Sequence, residues 1–220
     1  GNKEVAIPAV KVADGVISTS EIVAQTVATA NVALGEDAFQ RIIKEKHDAN
    51  IMFLIQQANV RSSELKTAKA FQEEVKAIGE AANKQITNIE ISAYASPDGA
   101  LDLNQGLAEK RQDATAKVVN KNLKKDKMEA NVDTKYTAED WEGFQELVSK
   151  SNIQDKELIL RVLSMYKEPE QREQEIKNIS SVYSALADEI LPQLRRSRLT
   201  LNYEIIGKSD EEIANLADTN

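Results

Sequence analysis

The chemistry in this chain concentrates in the stretch Ile89–Val119, IEISAYASPDGALDLNQGLAEKRQDATAKVV, and within it on Arg111. A guanidinium is a planar fork of donors that grips a carboxylate through two hydrogen bonds. Asn104, Leu107, Arg111, Ala114 and Val118 recur at spacings of three and four, so they share one helical face, the face expected to dock on a sheet. A guanidinium on such a stripe needs an acceptor, because an unpaired buried charge costs several kcal/mol. Two kinds of acceptor are open to it. One is an anionic ligand held where a strand, the polar loop Ala95–Asp102 and a helix start converge, since free N–H groups and the helix dipole favour anions there. The other is internal: Asp98, Asp102 or a carbonyl, with Arg111 as structural glue or snorkelling out of the stripe.

The rest of the composition narrows the choice. Without cysteine there is no disulfide, thiolate metal site or cysteine nucleophile, and a single histidine, His47, argues against a histidine metal centre or triad. His47 itself falls in a polar linker with no ligand role expected. Neither a metal nor a cofactor is expected. No carboxylate pair or nucleophile-base set stands out, so an enzyme is not expected either. A net charge of -8 is a poor electrostatic footprint for nucleic acid or an anionic membrane surface. The longest continuous apolar run, Ile51–Ile55, is far too short to span a membrane. A hydrophobic content of 41% over 220 residues supports a real core.

The elements that must position Arg111 follow from periodicity. Residues 1–48 read as an N-terminal extension: a short hairpin, Val5–Val12 against Val16–Thr19 about Asp14-Gly15, then a helix over Ala38–Lys46 with Phe39, Ile42 and Ile43 on one side. Ile51–Gln57 reads as a buried strand, and Leu65, Ala68, Phe71, Val75, Ile78 and Ala82 as the apolar stripe of a helix starting at Ser62 or Ser63. Ile86–Tyr94 alternates as a second strand, and a helix over about Leu103–Leu123 follows the Ser96-Pro97-Asp98-Gly99 turn. A third strand is expected at Met128–Tyr136, then helices carrying Trp141, Phe144 and the Leu/Ile stripes to Ile190, then a strand at Arg198–Ile206. The stripes read as core, and Lys167–Lys177 as a solvated helical face. Ser209-Asp-Glu-Glu212 is a capping box that opens a further segment, 208–220, expected to be cut short.

Taken in order, FLIQQANVRSSEL, IEISAYASPDG, NQGLAEKR and RRSRLTLNYEI resemble the OmpA-like C-terminal domain, the peptidoglycan-associating module of bacterial outer-membrane proteins, lipoproteins and flagellar stators. The resemblance covers about residues 50–206. Ala93-Tyr94-Ala95-Ser96, Gly99, Asn104 and Leu107-Ala-Glu-Lys-Arg111 fill the places of its central signature. It implies an α+β two-layer sandwich of βαβα(insert)β order, a mixed sheet with helices on one face, occupying 49–207 with extra helices inserted at about 137–192 before the last strand.

It also implies a ligand. In that family an aspartate takes the ammonium of diaminopimelate and the arginine its carboxylate. Carried over, Arg111 keeps its role and Asn104 its place, but Ser96 stands where the aspartate belongs. A hydroxyl cannot supply a charge-assisted bond, a loss of roughly 1–2 kcal/mol or about tenfold in affinity. Asp98 is the candidate substitute, against the rival that the turn spends it on its own backbone. Arg196 and Arg198 match the place of paired arginines at the pocket border, against the rival of strand-edge charge. The expected function is a non-catalytic periplasmic module, associated with the outer membrane of a Gram-negative bacterium, that binds the peptidoglycan stem peptide. The expected alternative is a scaffold that has lost this ligand and docks an envelope protein on its helical insertion.

Overall fold

The computed structural model describes residues 40–219. Strands β1 (Ile42–Met52), β2 (Lys84–Tyr94), β3 (Val132–Thr137) and β4 (Arg196–Ile206) form one mixed sheet in the order β1-β4-β2-β3. β4 runs antiparallel to both β1 and β2, and β2 is parallel to β3. Helices α1 (Ser62–Glu80) and α2 (Leu101–Lys125) cover one face. The result is an α+β fold.

Alternation builds this layer. Ser197, Leu199 and Leu201 of β4 and Ile89, Ile91 and Ala93 of β2 are fully buried, and Leu199, Leu201, Ile89 and Ile91 form one core with Ala68, Phe71, Val75 and Ile78 of α1 and Val119 and Leu123 of α2. The intervening side chains face away from the helices and form a polar surface knitted by Thr200 to Asp48 (2.6 Å), Asn202 to Asn88 (2.9 Å) and the Lys135–Glu90 ion pair (2.6 Å).

Between β3 and β4 lie α3 (Trp141–Lys150), α4 (Lys156–Met165), α5 (Pro169–Asn178), α6 (Ser180–Ala185), a π-helical turn at Leu186–Ile190 and α7 (Leu191–Leu194). They enclose a second core of their own, with Phe144, Val148, Ile159, Leu186, Ile190 and Leu194 at its centre. α8 (Asp210–Thr219) opens with the expected box: Glu212 N–H donates to Ser209 Oγ (3.1 Å) and Ser209 N–H to Glu212 Oε2 (2.7 Å).

Three local expectations are corrected. The helix over Ala38–Lys46 is absent from its described part: Ile42–Lys46 belong to β1, so the boundary at residue 48 falls inside a strand. β1 is solvent-exposed along most of its length, so no buried alternation marked it. His47 accordingly lies in a strand, its ring 6.2 Å from that of Phe71. Second, the strand placed at Ile51–Gln57 ends at Met52, and residues beyond it turn back with Gln56 in the left-handed region (φ 52°). Third, α2 buries Asn104, Ala108, Arg111, Thr115, Val119 and Leu123, while Leu107, Ala114 and Val118 are half-buried. The hairpin at Val5–Thr19 lies outside the described residues.

Candidate functional site

Arg111 leaves α2 and reaches two separate segments. Its Nε donates to the Gln57 carbonyl (2.9 Å), one terminal nitrogen to the Tyr94 carbonyl at the end of β2 (2.9 Å) and the other to the Leu54 carbonyl (3.2 Å). The turn it holds is closed by Gln57 N–H on Leu54 O (3.1 Å), and its face lies over the Phe53 ring at 5.3 Å. The side chain is 1% exposed. Burial is the main reason its pKa falls from the ordinary guanidinium value to about 10; the positive Arg195 lowers it further and Asp98 partly offsets this. It remains a cation at neutral pH.

Of the alternatives open in the sequence, the carbonyls are therefore what Arg111 touches, and among the described residues no carboxylate pairs with it. Three of the five guanidinium N–H groups are used. The same side chain lines a cleft of about 50 Å³ together with Ile55, Ser96, Asp98, Asn104 and Leu107. Asn104, 4% exposed, donates its amide to the Gly99 carbonyl (2.9 Å), which fixes the loop onto the first turn of α2 and leaves its side-chain oxygen as an acceptor.

Asp98 is held by a residue the sequence reading did not select. Arg195 donates from one terminal nitrogen to Asp98 Oδ2 (3.1 Å) and from Nε to Ser96 Oγ (3.2 Å), while Ser96 donates to the other oxygen of Asp98. Ser96 thus serves as a donor to Asp98. Arg195 caps α7, and its own carbonyl accepts from Phe53 N–H (2.7 Å), so the exit of the helical insertion is tied to both the β2–α2 loop and the end of β1. Among the described residues the charged side chains around the cleft are then two guanidiniums and one carboxylate, so the positive charges exceed the negative by one.

Arg196 and Arg198 stand elsewhere. They are alternate residues of β4 on the sheet face away from α1 and α2, over the Tyr94 ring at 4.8 and 6.0 Å. Together they border a separate cleft of about 190 Å³ with Asn50, Gly143, Glu146, Leu147 and Gln193. Arg196 pairs with the buried Asp140 (2.9 Å), which also caps α3 by accepting from Gly143 N–H (2.9 Å). The run Leu-Arg-Arg-Ser-Arg offered three arginines, and the family resemblance pointed to the second and third. The first is the one that reaches Asp98, because it lies at a helix end rather than in the strand.

Among the described residues no cluster of acidic and histidine side chains is arranged to hold a metal ion, and no helix is long and apolar enough to cross a membrane.

No protein-family model matches the chain, and no curated protein sequence matches it. Among solved structures it is similar to the OmpA-like domain of FopA1 from Francisella tularensis subsp. tularensis SCHU S4, with a TM-score of 0.39 and 15% identity, covering 79% of this chain and 85% of that one. It is also similar to the cell wall anchor of the T6SS from Pseudomonas aeruginosa, with a TM-score of 0.34 and 9% identity, covering 86% of this chain and 96% of that one. Likeness at these scores speaks to neither ligand nor mechanism, and the site stands on its own geometry.

Proposed function

We propose that this chain is a non-catalytic periplasmic module that binds peptidoglycan at the diaminopimelate side chain of the stem peptide and so tethers an outer-membrane protein or lipoprotein to the wall. One observation carries the reading: Arg111 lines a cleft and pairs with no carboxylate among the described residues, and Asp98 lines the same cleft. The end of a diaminopimelate side chain is a zwitterion. Its carboxylate takes the two N–H groups that Arg111 leaves unused, and its ammonium takes Asp98 and the side-chain oxygen of Asn104. The ordered sequence signature supports the same ligand.

Calorimetric titration with a diaminopimelate-type muropeptide tests it. Saturable binding is expected, weakened about tenfold or more by Asp98→Asn, with circular dichroism confirming that the variant is folded. A lysine-type muropeptide lacks the side-chain carboxylate and is expected not to bind. No saturation at millimolar ligand would sink the proposal.

A second reading rests on Arg195: Asp98 is already satisfied inside the protein. On that reading the wall ligand is lost and the insertion docks an envelope protein, with the exposed Leu158 and Met165 of α4 on its surface. A flat muropeptide titration, together with loss of a co-purifying envelope protein on replacing Leu158 and Met165 by serine, would favour it.

A further inference from the structure

β1 is an edge strand of eleven residues, and its outer side pairs with no strand among the described residues. In an antiparallel pair the N–H and C=O of one residue point to the same side. Phe53 N–H donates to Arg195 O and Arg41 O accepts from Gly207 N–H, so the odd-numbered residues of β1 turn their backbone groups toward β4. The even-numbered ones, Ile42 to Met52, point theirs outward. Met52 N–H is taken by Glu64 (3.0 Å); the others meet no strand among the described residues. A long open edge is a template for another strand.

We propose that this edge pairs with the β1 edge of a second copy, antiparallel about His47, joining the two four-stranded sheets into one continuous sheet. Three features select that register independently. It is the one in which the strand Ile42–Met52 overlaps itself most fully, because His47 is its centre; the ladder ends at Lys44 with Asn50, and the Met52 N–H stays with Glu64. It places Lys46 opposite Asp48 of the second copy, twice by symmetry, whereas a slip of two residues in one direction sets Lys46 against Lys46 and in the other Asp48 against Asp48. It also brings the half-exposed Ile42 and Ile43 beside Met52 and Ile51 of the second copy, covering apolar surface that the single chain leaves in water. Paired residues point to the same face, so α1 and α2 of both copies lie on one side and the polar faces on the other.

Within one copy Lys46 Nζ lies 3.9 Å from Asp48 Oδ2, and Asp48 also accepts from Thr200, but at 70% and 41% side-chain exposure these contacts contribute little to stability, so exchanging the charges is compatible with the fold. Sedimentation equilibrium on the 220-residue chain reads the result. The wild type is expected to show a concentration-dependent dimer. Lys46→Asp sets a carboxylate against Asp48 of the other copy on both sides of the axis and weakens the dimer about tenfold or more. Adding Asp48→Lys restores opposite charges and recovers most of that loss. Lys46→Pro removes an outward N–H, which an edge strand tolerates, and abolishes the dimer with the circular dichroism spectrum unchanged. A chain monomeric at all concentrations, including one whose edge takes only a foreign strand, overturns the proposal. So does a dimer indifferent to Lys46→Asp, or a folded double variant that stays as weak as the single one.

Discussion

Replacing Arg111 by methionine tests how far a single side chain holds the site together. Methionine keeps most of the volume and removes the fork. The carbonyls of Leu54, Gln57 and Tyr94 then lose their charged donor, at about 1–3 kcal/mol for each one left buried without a partner. Against this stands the relief of a buried charge. The fall of the guanidinium from its ordinary value to about 10 puts the cost of holding that charge at about 3 kcal/mol. Leu54 O keeps the Gln57 N–H, so Gln57 O and Tyr94 O are the two that lose their donor; at the upper end of that range, as suits the loss of a charged donor, the net loss is about 3 kcal/mol, or roughly 6–12 °C in melting temperature for a domain of this size. Urea unfolding followed by circular dichroism measures it, and hydrogen exchange should show the Leu54–Gln57 turn opening before the sheet. Arg111→Lys is expected to recover little, because one ammonium cannot reach carbonyls on two segments. A loss below about 1 kcal/mol would mean that water satisfies those carbonyls, and the view of Arg111 as the clamp between α2, β2 and the turn would fail.

Gly143→Ala is expected to destabilise by about 2–3 kcal/mol in the same assay, since a Cβ there would meet the Asp140 carboxylate at under 3 Å and push it off both the α3 cap and Arg196; an unchanged midpoint would show that the pair shifts freely. Gln56→Gly is expected to be neutral or to stabilise by up to about 1 kcal/mol, because Gln56 sits at φ 52°, and a clear loss would mean its side chain is needed. The Glu90 carboxyl is held below its ordinary range, first by the hydrogen bond from Lys135 and then by that from Ser92. A depressed folded pKa means the contribution is present above the ordinary carboxylate range and lost as pH falls through the folded value. Carboxyl-carbon NMR on Lys135→Met should therefore show Glu90 titrating higher, with less acid sensitivity of stability, and no movement would count against the pair.

How much of this was legible in the residues depended on what each segment buries. β2, β4, α1 and the insertion were readable because their alternating or three-four apolar positions coincide with real cores. β1 was not, since nearly all its side chains face water, and the cluster Phe39, Ile42, Ile43 imitated a helical stripe. On α2 two stripes compete, Leu107/Ala114/Val118 and Ala108/Thr115/Val119, set one residue apart and both containing Asn104 and Arg111. The tighter approach to the sheet favours the smaller Ala108 and Thr115. That Arg111 needs acceptors was visible from its place on the stripe. Which acceptors it finds was not, because backbone carbonyls have no signature in the sequence, and the turn that supplies two of them was read as strand. Arg195 was hidden by its neighbours: its role follows from where α7 ends, a boundary that periodicity locates poorly.

The most direct measurement on the cleft is side-chain NMR of the chain during titration with diaminopimelate-type muropeptide, following the Arg111 Nε–H and the Asn104 amide. Binding at the proposed place predicts saturable shifts of both signals, lost together in Asp98→Asn. Saturable binding that leaves Arg111 and Asn104 unmoved, or no binding at millimolar ligand, would contradict it.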